Sequence, residues 1–271
     1  MWKLCAGEDE RLHGLLMTYV DDILVAAPKV LLEAVIQKIQ ETWTTSVPEP
    51  VSECPTRFLG MELTKVYNEK IERDMWMLTQ QSYTLDMVQK EDEKVKAKKI
   101  PRSRDQAAME SKEESPSIGK VRLAPKAVGE ALWLTTRARP DLMYVVSKMG
   151  SAVTRAPEAV IQASNQLKGY LSTTANDGLK FEVEEGENPI LTVFTDESFA
   201  PDSEESHGSF VVLLGSSPGF WRSGQQGFVT LSTAEAELTE IIEGMVTVAI
   251  GAHVTCVFEL RMQCKTVSVC G

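Results

Sequence analysis

Two short apolar runs, Leu15 to Val20 and Ile23 to Ala27, stand on either side of Asp21-Asp22. Such runs, parted by two acidic residues, predict a β-hairpin over 15–27 with both carboxylates at its tip. Pro28 closes the second run. From Val30 to Trp43 apolar residues recur at helical spacing (Leu31, Ala34, Val35, Ile39), which predicts a helix packed on the hairpin. Pro48 and Pro50 mark a loop, Arg57 to Val66 reads as a strand, Tyr67-Asn68-Glu69-Lys70 as a turn, and Ile71 to Leu78 as a returning strand. Gln80 to Gln89 reads as a short helix.

Residues 90–104 hold seven Lys or Arg against three acids, and the chain stays polar to Pro125. That composition predicts a basic, polar linker over 91–125. Helices are expected at Ala127–Arg137, at Asp141–Ser151 behind Pro140, and at Pro157–Leu171, forming a helical layer over 126–180. Strands follow at Ile190–Thr195, at Ser209–Leu214 and from Phe220. Ser232-Thr233 then caps a long helix whose apolar positions, Leu238, Ile241, Ile242, Met245, Val248, Ala249 and Ala252, have the spacing of a helix laid on a sheet. One more strand is expected at Lys265–Val269. The fold class is therefore mixed, α+β with α/β character, in modules 1–90, 91–125, 126–180 and 188–271.

With 43% hydrophobic and 25% charged residues in 271, the chain has globular composition. The stretch Met245–Phe258 is broken by Gly251 and His253, short of the roughly 18 apolar residues of a membrane span. No membrane segment is expected. The acids Glu8, Asp9 and Glu10 stand where a secretory signal would be basic and then apolar, and five cysteines without a C-x-x-C pair suggest neither a disulfide framework nor a zinc site. An intracellular protein, in a cytoplasmic particle or the nucleus, is expected. The net charge of −11 is uneven: residues 181–243 hold 13 acids against one basic residue, Arg222. A solvated face accounts for most of Glu182–Glu187, and a divalent-metal site is the sharper alternative.

Adjacent carboxylates at a hairpin tip are electrostatically costly, because two unit charges ~4 Å apart repel by about 1 kcal/mol even in water. Mg²⁺ removes that cost, and a pair of such ions stabilises the attacking and leaving oxygens of a phosphoryl transfer. From the tetrapeptide Tyr19-Val20-Asp21-Asp22 alone, a turn in which the acids serve only as turn residues is the favoured reading.

Leu15–Ala27 resembles the polymerase hairpin of reverse transcriptases. Phe58-Leu59-Gly60-Met61-Glu62 and Leu78-Thr79-Gln80-Gln81-Ser82-Tyr83 are similar to the palm and thumb pattern of copia-type long-terminal-repeat retrotransposons. In the same order, Leu132-Trp133-Leu134, Arg139-Pro140-Asp141-Leu142 with Tyr144, and Gln166-Leu167-Lys168-Gly169-Tyr170-Leu171 resemble that family's connection segment. Thr195-Asp196-Glu197-Ser198, Phe220-Trp221-Arg222-Ser223 and Ser232-Thr233-Ala234-Glu235-Ala236-Glu237-Leu238 resemble its ribonuclease H. The resemblance implies a partial palm and thumb (1–90), a linker (91–125), a helical connection (126–180) and a truncated ribonuclease H-like domain (188–271). It implies Asp21, Asp22, Asp196 and Glu237 as catalytic and metal-binding residues, and Mg²⁺ or Mn²⁺ as weakly held cofactor. Its implied partners are an RNA template, a DNA primer, an RNA–DNA hybrid and the remaining polyprotein segments.

Departures from the family pattern are Ser198 and Phe199 in place of an Asp and a Trp, Leu238 in place of a Tyr, and Gly224-Gln225-Gln226 in place of a basic pair. The pattern also has a palm Asp upstream of the first run and a further ribonuclease H carboxylate beyond the last strand. Both sites are therefore expected to be incomplete and the isolated chain inactive. A non-catalytic remnant or a reused partner-binding domain is the alternative, and Lys94–Arg104 is either a phosphate-backbone contact or a solvated linker.

Overall fold

A computed structural model of the chain describes residues 2–5, 12–70, 72–89, 95–101, 113, 117–182, 190–198, 206–227, 229–230, 232–255 and 263–268. Side chains of 5, 12, 248–255 and 263–268 lie outside that description. The strands are β1 (Trp2–Cys5), β2 (Leu12–Tyr19), β3 (Asp22–Ala27), β4 (Glu49–Pro50), β5 (Thr56–Phe58), β6 (Met61–Asn68), β7 (Arg73–Thr79), β8 (Leu179–Glu182), β9 (Leu191–Ser198), β10 (His207–Leu214), β11 (Ser217–Gln225) and β12 (Gln263–Ser268). The helices are α1 (Lys29–Thr42), α2 (Gln81–Gln89), α3 (Ile118–Thr135), α4 (Met143–Ala152), α5 (Pro157–Leu171) and α6 (Thr233–Thr255). The expected mix of helices and sheets is present.

Two units are distinct: residues 1–78 with 180–183 and 249–271, and residues 79–179 with 184–248. In the first, strands run in the order β1-β2-β3-β12-β4. Along β3 the burial alternates, with Ile23, Val25 and Ala27 packed against Leu32, Ile36 and Ile39 of α1. Leu31 and Val35 border that face and Ala34 is exposed. A second sheet, β5-β6-β7-β8, differs from expectation at its start. Arg57–Val66 is not one strand, because Leu59 (φ 56°) and Gly60 (φ 70°) turn the chain so that Phe58 pairs with Met61. Successive left-handed residues make the tight hairpin turn that strand twist favours. The last strand also departs from expectation. β12 pairs with β3, Ser268 opposite Asp22, instead of joining β9–β11, and so occupies a backbone edge that β3 otherwise leaves open.

In the second unit α2 joins the helical layer: Tyr83 Oη donates to the Glu130 carbonyl at 3.3 Å, and Met87 lies in the same core as Ala131, Leu134, Met149 and Leu167. The described residues of the predicted linker, 95–101, 113 and 117–125, contact or belong to the helices of this unit. Helix α3 begins at Ile118, capped by Ser117, and runs through Pro125; Ala124 on its early turns is fully buried, so packing there offsets the hydrogen bond that proline removes. Upstream, the Lys98 N–H donates to the Gly169 carbonyl of α5 at 2.9 Å. Glu113 accepts from the backbone N–H groups of Glu158 and Ala159 at the start of α5. Lys94, Arg102 and Arg104 lie outside the described residues. The sheet β11-β10-β9 carries α6 on one face and, on the other, meets α3 through a 2.7 Å hydrogen bond from Trp221 Nε1 to the Thr135 carbonyl. No helix among the described residues is long and apolar enough to cross a membrane.

Candidate functional site

The hairpin β2–β3 closes with Tyr19 paired to Asp22, leaving Val20 and Asp21 as a two-residue turn. Val20 has φ 50° and is 85% exposed. A β-branched residue in the left-handed region is strained, and Asn or Gly would hold that position at lower cost. Strain of this kind recurs at functional turns. Asp21 is exposed, Asp22 is half-buried at the head of β3, and Tyr19 is half-exposed beside them. The structure thus places both acids at one tip, braced from behind by Ile23 and Val25 on α1. Two adjacent, accessible carboxylates are hard oxygen donors that suit Mg²⁺ or Mn²⁺. A complete shell needs further oxygens. Among the described residues no group of three or more His, Cys, Asp or Glu is placed to hold a metal ion.

The second pair is arranged differently. A Cβ built on Gly244 of α6 would meet Val193 Cγ1 at 2.9 Å and Thr195 Cγ2 at 3.5 Å, so odd-numbered residues of β9 face the helix. Strand alternation turns Asp196 to the other face, where it is exposed. Glu237 is also exposed, because α6 meets the sheet through Ala236, Glu240 and Gly244. The structure therefore does not bring Asp196 and Glu237 together. The expected apolar face of α6 is turned outward as well: Leu238, Ile241, Ile242 and Met245 are exposed, while Val248, Ala249 and Ala252 fall outside the described side chains. Small residues at 236 and 244 allow a close backbone approach that Leu or Ile would prevent, and closeness decides which stripe docks.

What gathers under α6 instead is Glu197, Glu240 and Glu243 with Arg222. Glu240 is 2% exposed and sits over Gly208, where a Cβ would overlap its carboxylate. Burial pushes its carboxyl above the ordinary range, Arg222 and Gln226 pull it back, and Glu197 raises it further. Both carboxylate oxygens of Glu197 are buried without a hydrogen-bond partner among the described residues, and Glu243 pairs with Arg222. On the opposite face His207 Nε2 lies 2.9 Å from Ser223 Oγ with its ring edge-on to Tyr144. Burial, with Lys148 and Arg222 nearby, lowers its pKa to about 4. These groups lie one strand position or about one helical turn from the motif residues. Periodicity signals that Glu197 and Asp196 oppose each other, but not which of them meets the helix.

No protein-family model and no solved structure matches the chain. It is similar to a Ty5-1 transposon protein of Saccharomyces cerevisiae, 28% identical over 250 residues that span 86% of this chain and 76% of that protein. It is also similar to the retrovirus-related Pol polyprotein from transposon RE1 of Arabidopsis thaliana, 24% identical over 229 residues that span 83% of this chain. Of that polyprotein the matched segment is 15%.

Proposed function

We propose that this chain, a relative of retrotransposon polyproteins, is a copia-type segment carrying part of an RNA-directed DNA polymerase followed by a ribonuclease H-like module. The observation that supports it most is the hairpin with Asp21 and Asp22 side by side at a strained, solvent-facing turn. Asp21 and Asp22 would hold a divalent cation, which when bound neutralises charge at a transferring phosphoryl group. The chain's own contribution is positioning. The β2–β3 ladder and the α1 packing behind it hold both carboxylates on a rigid element, presenting them to a primer end on an RNA template. For the ribonuclease H-like module the reading rests on motif order. Asp196 and Glu237, its proposed ligands, stand apart here, so cleavage of an RNA–DNA hybrid is proposed to need parts this chain does not bring together.

Amide resonance broadening by Mn²⁺ tests the hairpin assignment. Broadening should centre on Val20–Asp22 and disappear in Asp21→Asn/Asp22→Asn. Broadening centred instead on Glu197, Glu240 and Glu243, or none anywhere, would remove the polymerase reading. A non-catalytic, partner-binding role is favoured by one observation, the exposed apolar stripe Leu238, Ile241, Ile242 and Met245 of α6.

A further inference from the structure

The basic segment ahead of α3 is seated in a way that an unstructured linker would not be. The backbone N–H of Lys98 donates to the Gly169 carbonyl at 2.9 Å, Gln166 Nε2 donates to the Ile100 carbonyl at 3.0 Å, and Thr173 Oγ1 donates to the Lys98 carbonyl at 3.4 Å. The three contacts pin residues 98–100 along the C-terminal half of α5. The seat is tight as well. A Cβ on Gly169 would run into the Lys96 carbonyl and lie 2.6 Å from Lys98 Cγ, so the segment crosses α5 where only glycine leaves room for it.

This seat leaves the charges outward. Lys96, Lys98 and Lys99 are all exposed, and among the described residues none has an acidic partner. Elsewhere Lys38, Lys65, Lys120 and Lys126 each pair with an acid. The helix beneath supplies no counter-charge either: its single acid is Glu158, at its far end and bound to Lys120. A cation beside a helix C-terminus also relieves the helix dipole. Here, however, it is the Lys98 backbone N–H that serves the Gly169 carbonyl, which leaves the ammonium groups uncommitted. Three like charges held together on a protein of net charge −11 repel one another, and a polyanion compensates that repulsion.

We propose that Lys96, Lys98 and Lys99, pinned over Gly169 of α5, form an ordered ridge that grips the phosphate backbone of a nucleic acid. The contact is independent of base sequence, since ammonium groups reading phosphates position a duplex without specifying it. It rests on the retroelement reading only in the choice of an RNA–DNA hybrid as ligand.

The test measures binding of a short labelled RNA–DNA hybrid to the full chain over a series of salt concentrations. Each phosphate contact contributes close to one unit to the slope of log K against log salt. The variant Lys96→Gln/Lys98→Gln/Lys99→Gln should lower that slope by about 3 and weaken binding equally on hybrids of unrelated sequence. Gly169→Val keeps every charge but unseats the segment, and should also weaken binding. Should Gly169→Val fail to fold, Gln166→Ala/Thr173→Ala removes two of the pins and replaces it. An unchanged slope in the lysine variant overturns the proposal, and so does full binding after the segment is unpinned. Mn²⁺ broadening at the hairpin is read separately, so either assignment can fail without the other.

Discussion

Arg139 forks onto Asp141: its Nε donates to Oδ1 at 2.9 Å and its Nη2 to Oδ2 at 2.8 Å. The guanidinium is almost wholly buried, and its Nη1 donates to the Thr174 carbonyl at 2.7 Å, tying the turn before α4 to the chain after α5. Asp141 also accepts from Tyr170 Oη. The motif Arg139-Pro140-Asp141-Leu142 is thus a structural clamp. Asp141→Asn should leave a buried cation half-paired and cost about 1–3 kcal/mol, less than for a fully enclosed pair because Asp141 is partly open to solvent. Chemical denaturation measures it. A loss well under 1 kcal/mol would mean that Thr174 alone satisfies the arginine.

Glu240 sets a pH dependence of definite sign. Its folded pKa is raised, chiefly by burial, so its contribution to stability is present below the ordinary Glu range and is lost as pH rises through the raised value. Glu240→Gln should therefore gain thermal midpoint relative to the parent at about pH 8, with the gain shrinking toward about pH 4. Equal gains at both pH values would show that Glu240 titrates normally.

His207 acts in the opposite direction. Its folded pKa is depressed to about 4 from 6.5, so the stability it contributes is present above 6.5 and is lost as pH falls toward 4. Its ring resonances should hold still between about pH 7 and about pH 5 while an unperturbed imidazole titrates. His207→Gln should flatten the acid-side decline. A ring that titrates near 6.5 contradicts the buried, Ser223-bonded placement.

Glu113 sits at the start of α5 as a carboxylate cap borrowed from another part of the chain, accepting from two free N–H groups at 3.1 to 3.2 Å. Removing it with Glu113→Ala should cost about 1 kcal/mol, with Glu113→Gln losing less because the amide oxygen still accepts. Amide exchange at Glu158 and Ala159 should quicken in the alanine variant. Unchanged exchange would show that solvent caps the helix equally well.

On a primed RNA template with Mg²⁺, the purified chain is expected to extend no primer beyond the level of its own Asp21→Asn version. Phosphoryl transfer depends on metals held by several carboxylates at fixed geometry, and the hairpin tip offers two. Extension abolished by Asp21→Asn would mean that self-association or another residue completes the site.

Local pattern alone determined the hairpin, since two apolar runs around Asp21-Asp22 and a helical repeat behind Pro28 leave one way to bury Ile23, Val25 and Ala27. It also located α5, the strands β9–β11 and the start of α6 to within a few residues, because their periodicities are strong and their ends are marked by Pro157, Gly215 and the Ser/Thr cap at 232–233. Tertiary structure decided which face of each element is used. On α6 the apolar stripe gives way to Ala236, Glu240 and Gly244, because small residues let two backbones approach and that proximity is a property of the pair. On β9 it selects Glu197 over Asp196 for the covered side. It likewise ties residues 95–101 and Glu113 of a polar, basic stretch to α5, through the Lys98 backbone hydrogen bond to Gly169 and through Glu113 at the start of the helix. Those partners lie tens of residues away in the chain, and no pattern within the segment encodes them.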